Sequence, residues 1–335
     1  MKDNYGSGKA CDIQILRICA CISVFAVHMG QRLELTGKIR TLCDLGAYGP
    51  YLFFILSGLC TFMSFERKKV NFSFKSYGEY LLHRALRILP IYYVVVMIEF
   101  LLRSLVYKEF SIRLWKIYLF RYGLMLSGIL APKDGFNQNL AATWSISVFC
   151  LFYFFAPLLW KLIHSLKIAG GGTVIALILD CFVFPNLSVP VVLCDMHYFL
   201  IGIMIYFARK ELQEMKEILI GTIIILASPA FHFLNGINYY AILFAIIVLS
   251  AGKINLKLNL GMKKIVNCFD SYSYSFYLGH AVMMLIFDNM NFVLTSSMQK
   301  IHGAIILITG SIVISILLKR GIDDPICKLQ LRRIW

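Results

Sequence analysis

Apolar runs recur along the whole of this chain, near residues 13–29, 48–65, 88–102, 115–130, 142–160, 172–186, 191–208, 217–233, 237–252, 269–288 and 302–318. A bilayer core is crossed by about 20 apolar residues in a helix. Lipid offers no water to backbone N–H and C=O groups, so such a run must satisfy its own hydrogen bonds, which a helix does. Composition agrees: 59% of the 335 residues are hydrophobic and 15% are charged, against about 25% charged in soluble domains. The expected fold is all-α, a polytopic transmembrane bundle forming one membrane domain over residues 1–335, with too little chain left for a separate soluble domain.

Loop charge orders these runs. A net charge of +15 in a soluble protein would suggest nucleic acid. In a membrane protein it is first the excess of Lys and Arg on cytoplasmic loops, and no nucleic-acid partner is expected. One of the eleven runs is doubtful, because "WKIYLFRYGLMLSGIL" (115–130) is short and carries Arg121 in its middle. If it lies at the outer interface, 23 of the 33 Lys and Arg face the cytoplasm. If it crosses, 14 of the 15 basic residues after position 140 fall outside. The charge bias therefore predicts ten spans with both termini cytoplasmic; the expected location is the plasma membrane.

Other signals are weak. The ten cysteines show no C-x-x-C pair and read as apolar lining rather than a disulfide framework. Arg17 interrupts the first run and no A-x-A cleavage site follows, so that run reads as a retained span. There is no Gly-rich phosphate loop and no zinc-ligand spacing, so no metal is expected. The connectors at 184–190 and 233–240 are tight, and no internal repeat is seen.

The ionisable residues inside the runs carry the chemistry. In "ILRICACISVFAVHMG" (15–30), Arg17 and His28 stand eleven residues apart. Eleven helical residues make about three turns and rise roughly 16 Å, so both side chains share a face and would line one cleft. The competing reading makes Arg17 a snorkelling anchor and leaves His28 in the outer headgroup zone. In "LLHRALRILPIYYVVV" (81–96), Arg84 and Arg87 are spaced i, i+3 at the cytosolic start of the third span. Paired guanidinium forks suit phosphate oxygens; the alternative is a basic cluster that sets orientation. Trp144 in "TWSISVFCLFYFFAPLLW" (143–160) reads alone as an interfacial or packing ring. In "SYSYSFYLGHAVMM" (271–284) Ser271, Ser273 and Ser275 alternate with Tyr272 and Tyr274 on a polar-faced span leading to His280. A packed, hydrogen-bonded role for His280 competes with a catalytic one. His197 and His302 have no supporting motif.

Taken in order, "LRICACISVFAVH", "LFFILSGL" (52–59, with Ser57), "HRALRILPIYY", "TWSISV", "YFLIGIMI" (198–205), "YSFYLGH" and "DDP" (323–325) resemble acyltransferase family 3, integral-membrane acyltransferases that modify cell-surface glycans. The resemblance spans nearly the whole chain. It implies a ten-helix membrane protein that takes acyl-CoA from the cytosol, with acetyl-CoA the expected donor, and acylates a hydroxyl on the far side. Carried over, it makes His28 catalytic with Arg17 as its same-helix partner. It makes Arg84 and Arg87 the pair that meets the acyl donor, with Trp144, Ser57, Tyr277 and His280 as substrate-binding or supporting residues. The chain departs from the pattern in three places. Phe149 and Cys150 stand where many members have a carboxylate, Gln14 replaces an aspartate three residues before Arg17, and Asp323-Asp324-Pro325 replaces a late E-x-P.

The chemistry is coherent. Acyl transfer from a thioester needs a base near neutrality at the acceptor hydroxyl, for which histidine is suited, and cationic anchors for the coenzyme. The expected reaction is O-acetylation of a cell-surface or lipid-linked glycan, with membrane lipids as surroundings. The alternatives are a glycan or lipid-linked exporter whose polar residues line a path, and a catalytically degenerate family member.

Overall fold

The computed structural model describes residues 11–70, 72–127, 143–184, 191–211, 236–252, 258–290 and 292–333. It is all-helical, with 87% helix and no strand among the described residues. Six helical stretches are long and apolar enough to cross a membrane: Cys11–Arg32, Gly37–Arg67, Phe74–Val106, Thr143–Leu162, Leu166–Val183 and Ser297–Lys328.

The principal helices are α1 (Cys11–Arg32), α2 (Gly37–Asp44), α3 (Gly49–Arg67), α4 (Phe74–Leu101), α5 (Ile112–Lys116), α6 (Thr143–Leu162), α7 (Leu166–Ile178), α8 (Val191–Cys194), α9 (Met196–Glu211), α10 (Gly236–Ala251), α11 (Leu260–Asp288), α12 (Ser297–Leu318) and α13 (Asp324–Arg333). The apolar run at 217–233 lies outside the described residues, as does most of the connector at 184–190. The doubtful run 115–130, described as far as residue 127, lies partly in a helical stretch over residues 112–122. Eleven residues rise about 16 Å, roughly half the hydrocarbon thickness.

Local sequence starts several helices where the apolar pattern alone does not. Ser73 caps α4 in a reciprocal box with Ser76, and Ser296 caps α12 with Gln299; each pair satisfies two otherwise orphaned donors. The α4 cap moves the helix start to Phe74, well before the apolar run at 88–102. Arg84 and Arg87 are therefore some three turns inside the helix rather than at its start, and Pro90 lies within it.

Helix α11, 29 residues long, is long enough to cross a membrane but carries polar and ionisable residues along its length. Asp270, Ser273, Ser275 and His280 are all buried, turned toward neighbouring helices, as expected of ionisable groups at membrane depth. It packs between α1 and α12, while α3 packs on α9. Two glycines set that second contact. A Cβ on Gly58 would lie 2.2 Å from the Phe199 carbonyl oxygen, and one on Gly202 would lie 2.0 Å from that of Ile55. Backbones this close need small residues at the crossing. Around them Phe54, Phe62, Phe152 and Phe199 form the α3–α6–α9 core.

Polar clamps hold the helix ends. Arg209 on α9 pairs with Asp12 on α1 at 3.3 Å and donates to the Val248 carbonyl on α10 at 2.6 Å. Lys210 pairs with Glu66 on α3. At the far end of α4, Arg103 bridges Glu99 at 3.3 Å and Glu109 at 2.6 Å.

Candidate active site

A cavity of about 180 Å³ opens between α1, α3, α4, α6 and α11, and its wall includes Arg17, Ser57, Arg84, Arg87, Phe149 and Tyr277. The i, i+3 spacing of Arg84 and Arg87 turns both toward this one space. Arg84 lies over the Tyr153 ring at 4.6 Å and the Tyr80 ring at 5.4 Å. Such stacking holds a guanidinium plane while leaving its edge donors available.

Arg17 is held differently. Its Nη1 donates to Asp270 Oδ1 at 2.5 Å, and the Asp270 side chain is fully shielded from solvent. Gln14 Nε2 donates to Asp270 Oδ2 at 3.2 Å and to Asn267 Oδ1 at 2.8 Å. Gln14 thus reaches from α1 to a carboxylate that α11 provides. Asp270 had no signal in the sequence; it lies 253 residues from Arg17. Among the described residues neither Arg84 nor Arg87 has a carboxylate partner. Three cations and one carboxylate leave the site with an unbalanced positive charge, which suits an anion.

His28 and His280 do not line this cavity. They meet beyond it, ring centroids 5.5 Å apart and planes 25° from parallel. His280 is fully buried and its Nδ1 donates to the Phe276 carbonyl at 3.1 Å. With the proton on Nδ1, its Nε2 carries the lone pair, and that atom has no hydrogen-bond partner among the described residues. His28 is half-buried, and its Nδ1 donates to Gln31 Oε1 at 3.3 Å, leaving Nε2 as its basic atom. Tyr277 stands between the two groups. Its ring contacts His280 at 5.8 Å, its hydroxyl pairs with Ser145 Oγ at 2.9 Å, and it also borders the arginine cavity.

Trp144 lies beside the cavity among rings, 6.3 Å from Tyr51 and 5.9 Å from Phe54. Phe149 packs on Phe54 at 4.9 Å and Tyr153 at 6.2 Å and gives the cavity an apolar wall. Asp323 is engaged by Lys319, which also holds Asp324 at 3.1 Å. His197 is buried, its Nδ1 donating to the Cys194 carbonyl at 2.7 Å.

The arrangement presents anion-binding donors and an imidazole base at two levels of one bundle, joined along α1. No curated protein and no solved structure gives a significant match to the chain. The family described as acyltransferase domain, acyltransferase family 3, matches residues 12–320. The chain is a member of that family, a membrane acyltransferase.

Proposed function

We propose that this protein transfers an acyl group, acetyl in the first instance, from cytosolic acyl-CoA to a hydroxyl of a cell-surface or lipid-linked glycan. The observation that carries this reading is the shared cavity of Arg17, Arg84 and Arg87, with one carboxylate among three guanidinium groups. The coenzyme's phosphates supply the missing negative charge, and each guanidinium edge offers them paired donors. The same helix that brings Arg17 to that cavity brings His28 to the acceptor level.

In the reaction, the acceptor oxygen attacks the thioester carbonyl. The C–S bond breaks and an ester C–O bond forms. His28 Nε2 takes the hydroxyl proton and returns it to the departing thiolate. Gln31 fixes the tautomer by accepting from Nδ1. This division of labour fits ten spans with both termini cytoplasmic, in the plasma membrane, where donor and acceptor arrive from opposite sides.

The test is reconstitution. Purified full-length protein in proteoliposomes, given radiolabelled acetyl-CoA and a set of methyl hexosides and N-acetylhexosaminides, should produce labelled glycoside and free CoA. No acetyl-CoA consumption under any of these conditions would defeat the reading. A second reading, a saccharide exporter, draws on Phe149, which places a phenyl ring where many family members carry a carboxylate. Saccharide flux without CoA release would favour it.

A further inference from the structure

We propose that a second cleft, at the His28 end of α1, binds the saccharide acceptor as a neutral polyol. The identity of the occupant rests on the acyl-transfer reading above; the chemistry of the cleft does not. It has a volume of about 440 Å³ and is lined by Gln31, Arg32, Glu34, Phe287, Asp288 and Phe292. That volume lies within the roughly 300–1,000 Å³ usual for small-molecule sites.

Gln31 belongs both to the cleft wall and to the imidazole's hydrogen-bond shell, since its Oε1 accepts from His28 Nδ1 at 3.3 Å. A molecule touching Gln31 is one residue from the base. Beside it, Arg32 and Asp288 form a two-point pair joining α1 to α11, Nε to Oδ1 at 3.1 Å and Nη2 to Oδ2 at 3.0 Å. Both side chains stay partly exposed, 21% and 40%. A guanidinium has five N–H donors and a carboxylate about four acceptor sites, so this pair keeps donors and acceptors for an occupant. Adjacent hydroxyls of a sugar are donors and acceptors at once and match such a mixed edge.

The cleft also has an apolar platform. Phe292 stacks on Phe287 with centroids 5.1 Å apart and stays 40% exposed, open to the C–H face of a pyranose ring. Glu34 completes the rim. It sits in the left-handed region, φ 48°, just past the end of α1, where glycine is the usual residue, and its carbonyl accepts from Lys300 Nζ at 2.7 Å. Charge separates this cleft from the arginine cavity: Arg32 is paired with Asp288, and Glu34 on the rim stands beside Lys300, so cations and carboxylates balance and there is no cationic excess to select a phosphate.

The experiment compares wild type with Phe292→Ala and Asp288→Asn, both at exposed side chains, in the proteoliposome assay with methyl hexosides and N-acetylhexosaminides. Each variant should raise the glycoside KM at least tenfold while leaving the acetyl-CoA KM unchanged. Wild-type glycoside KM values in both variants would overturn the proposal, as would a raised acetyl-CoA KM. If the wild type transfers nothing, the function reading fails by itself. Saturation-transfer NMR with the same glycosides and the purified full-length protein then judges the cleft: binding lost in Phe292→Ala supports it, and no binding by wild type sinks it.

Discussion

Arg17 on α1 and Asp270 on α11 meet at 2.5 Å across 253 residues of sequence, with the carboxylate fully shielded from solvent. The pair fixes one of the three cavity arginines and ties the helix carrying His28 to the helix carrying His280. Removing one partner of such a pair leaves the other charge buried and uncompensated, which costs on the order of 3 kcal/mol or more. Asp270→Ala should therefore lower the melting temperature in detergent. The double variant Arg17→Met/Asp270→Leu should recover much of the loss. Unchanged melting of Asp270→Ala would show that the pair contributes nothing to the fold.

Arg84 and Arg87 have no carboxylate partner among the described residues, so their loss should spare the fold and weaken the donor. Each Ala substitution removes a charge-assisted contact worth about 1.5–3 kcal/mol, or roughly 10- to 100-fold in acyl-CoA affinity. Lysine should rescue only part of this, because an ammonium lacks the planar fork. Calorimetric titration with acetyl-CoA measures both; wild-type affinity in both Ala variants would reduce the pair to orientation anchors.

His28→Gln keeps a polar side chain but cannot accept and return a proton. General-base loss costs typically about 10²–10⁴ in rate, so turnover should fall by that order while acetyl-CoA binding persists, since His28 lies outside the arginine cavity. Transfer at the wild-type rate by this variant would end the base assignment.

The α3–α9 crossing makes a prediction independent of catalysis. Gly58→Ala would press a Cβ to 2.2 Å from the Phe199 carbonyl oxygen, and overpacking of this kind costs about 1–3 kcal/mol. A lowered melting temperature is expected for Gly58→Ala. Gly170→Ala, where nothing lies within 4 Å of the added Cβ, is the control and should melt no lower than wild type, since Ala favours the helix over Gly.

Loop charge predicts an orientation that labelling can test. A cysteine at position 167, in a cysteine-depleted background, should label only after the membrane is permeabilised. Reaction from the outside of intact cells would invert the proposed topology.

The sequence by itself determined the all-helical class and the face of one helix. Lipid forces each apolar run into a self-satisfied helix, and the 3.6-residue period then places Arg84 with Arg87 on one side of α4. It could not announce where α4 begins, because Ser73 and Ser76 start that helix through a cap rather than through apolarity. The partners across helices were likewise illegible: Asp270 for Arg17, His280 for His28, and Asp288 for Arg32 each come from α11, more than 250 residues away. Periodicity is a property of neighbours along one chain segment, and it says which way a side chain points but not what stands opposite. That was decided by tertiary packing, where α11 buries its polar face between α1 and α12 and so brings Asp270, His280 and Asp288 to three successive levels of α1.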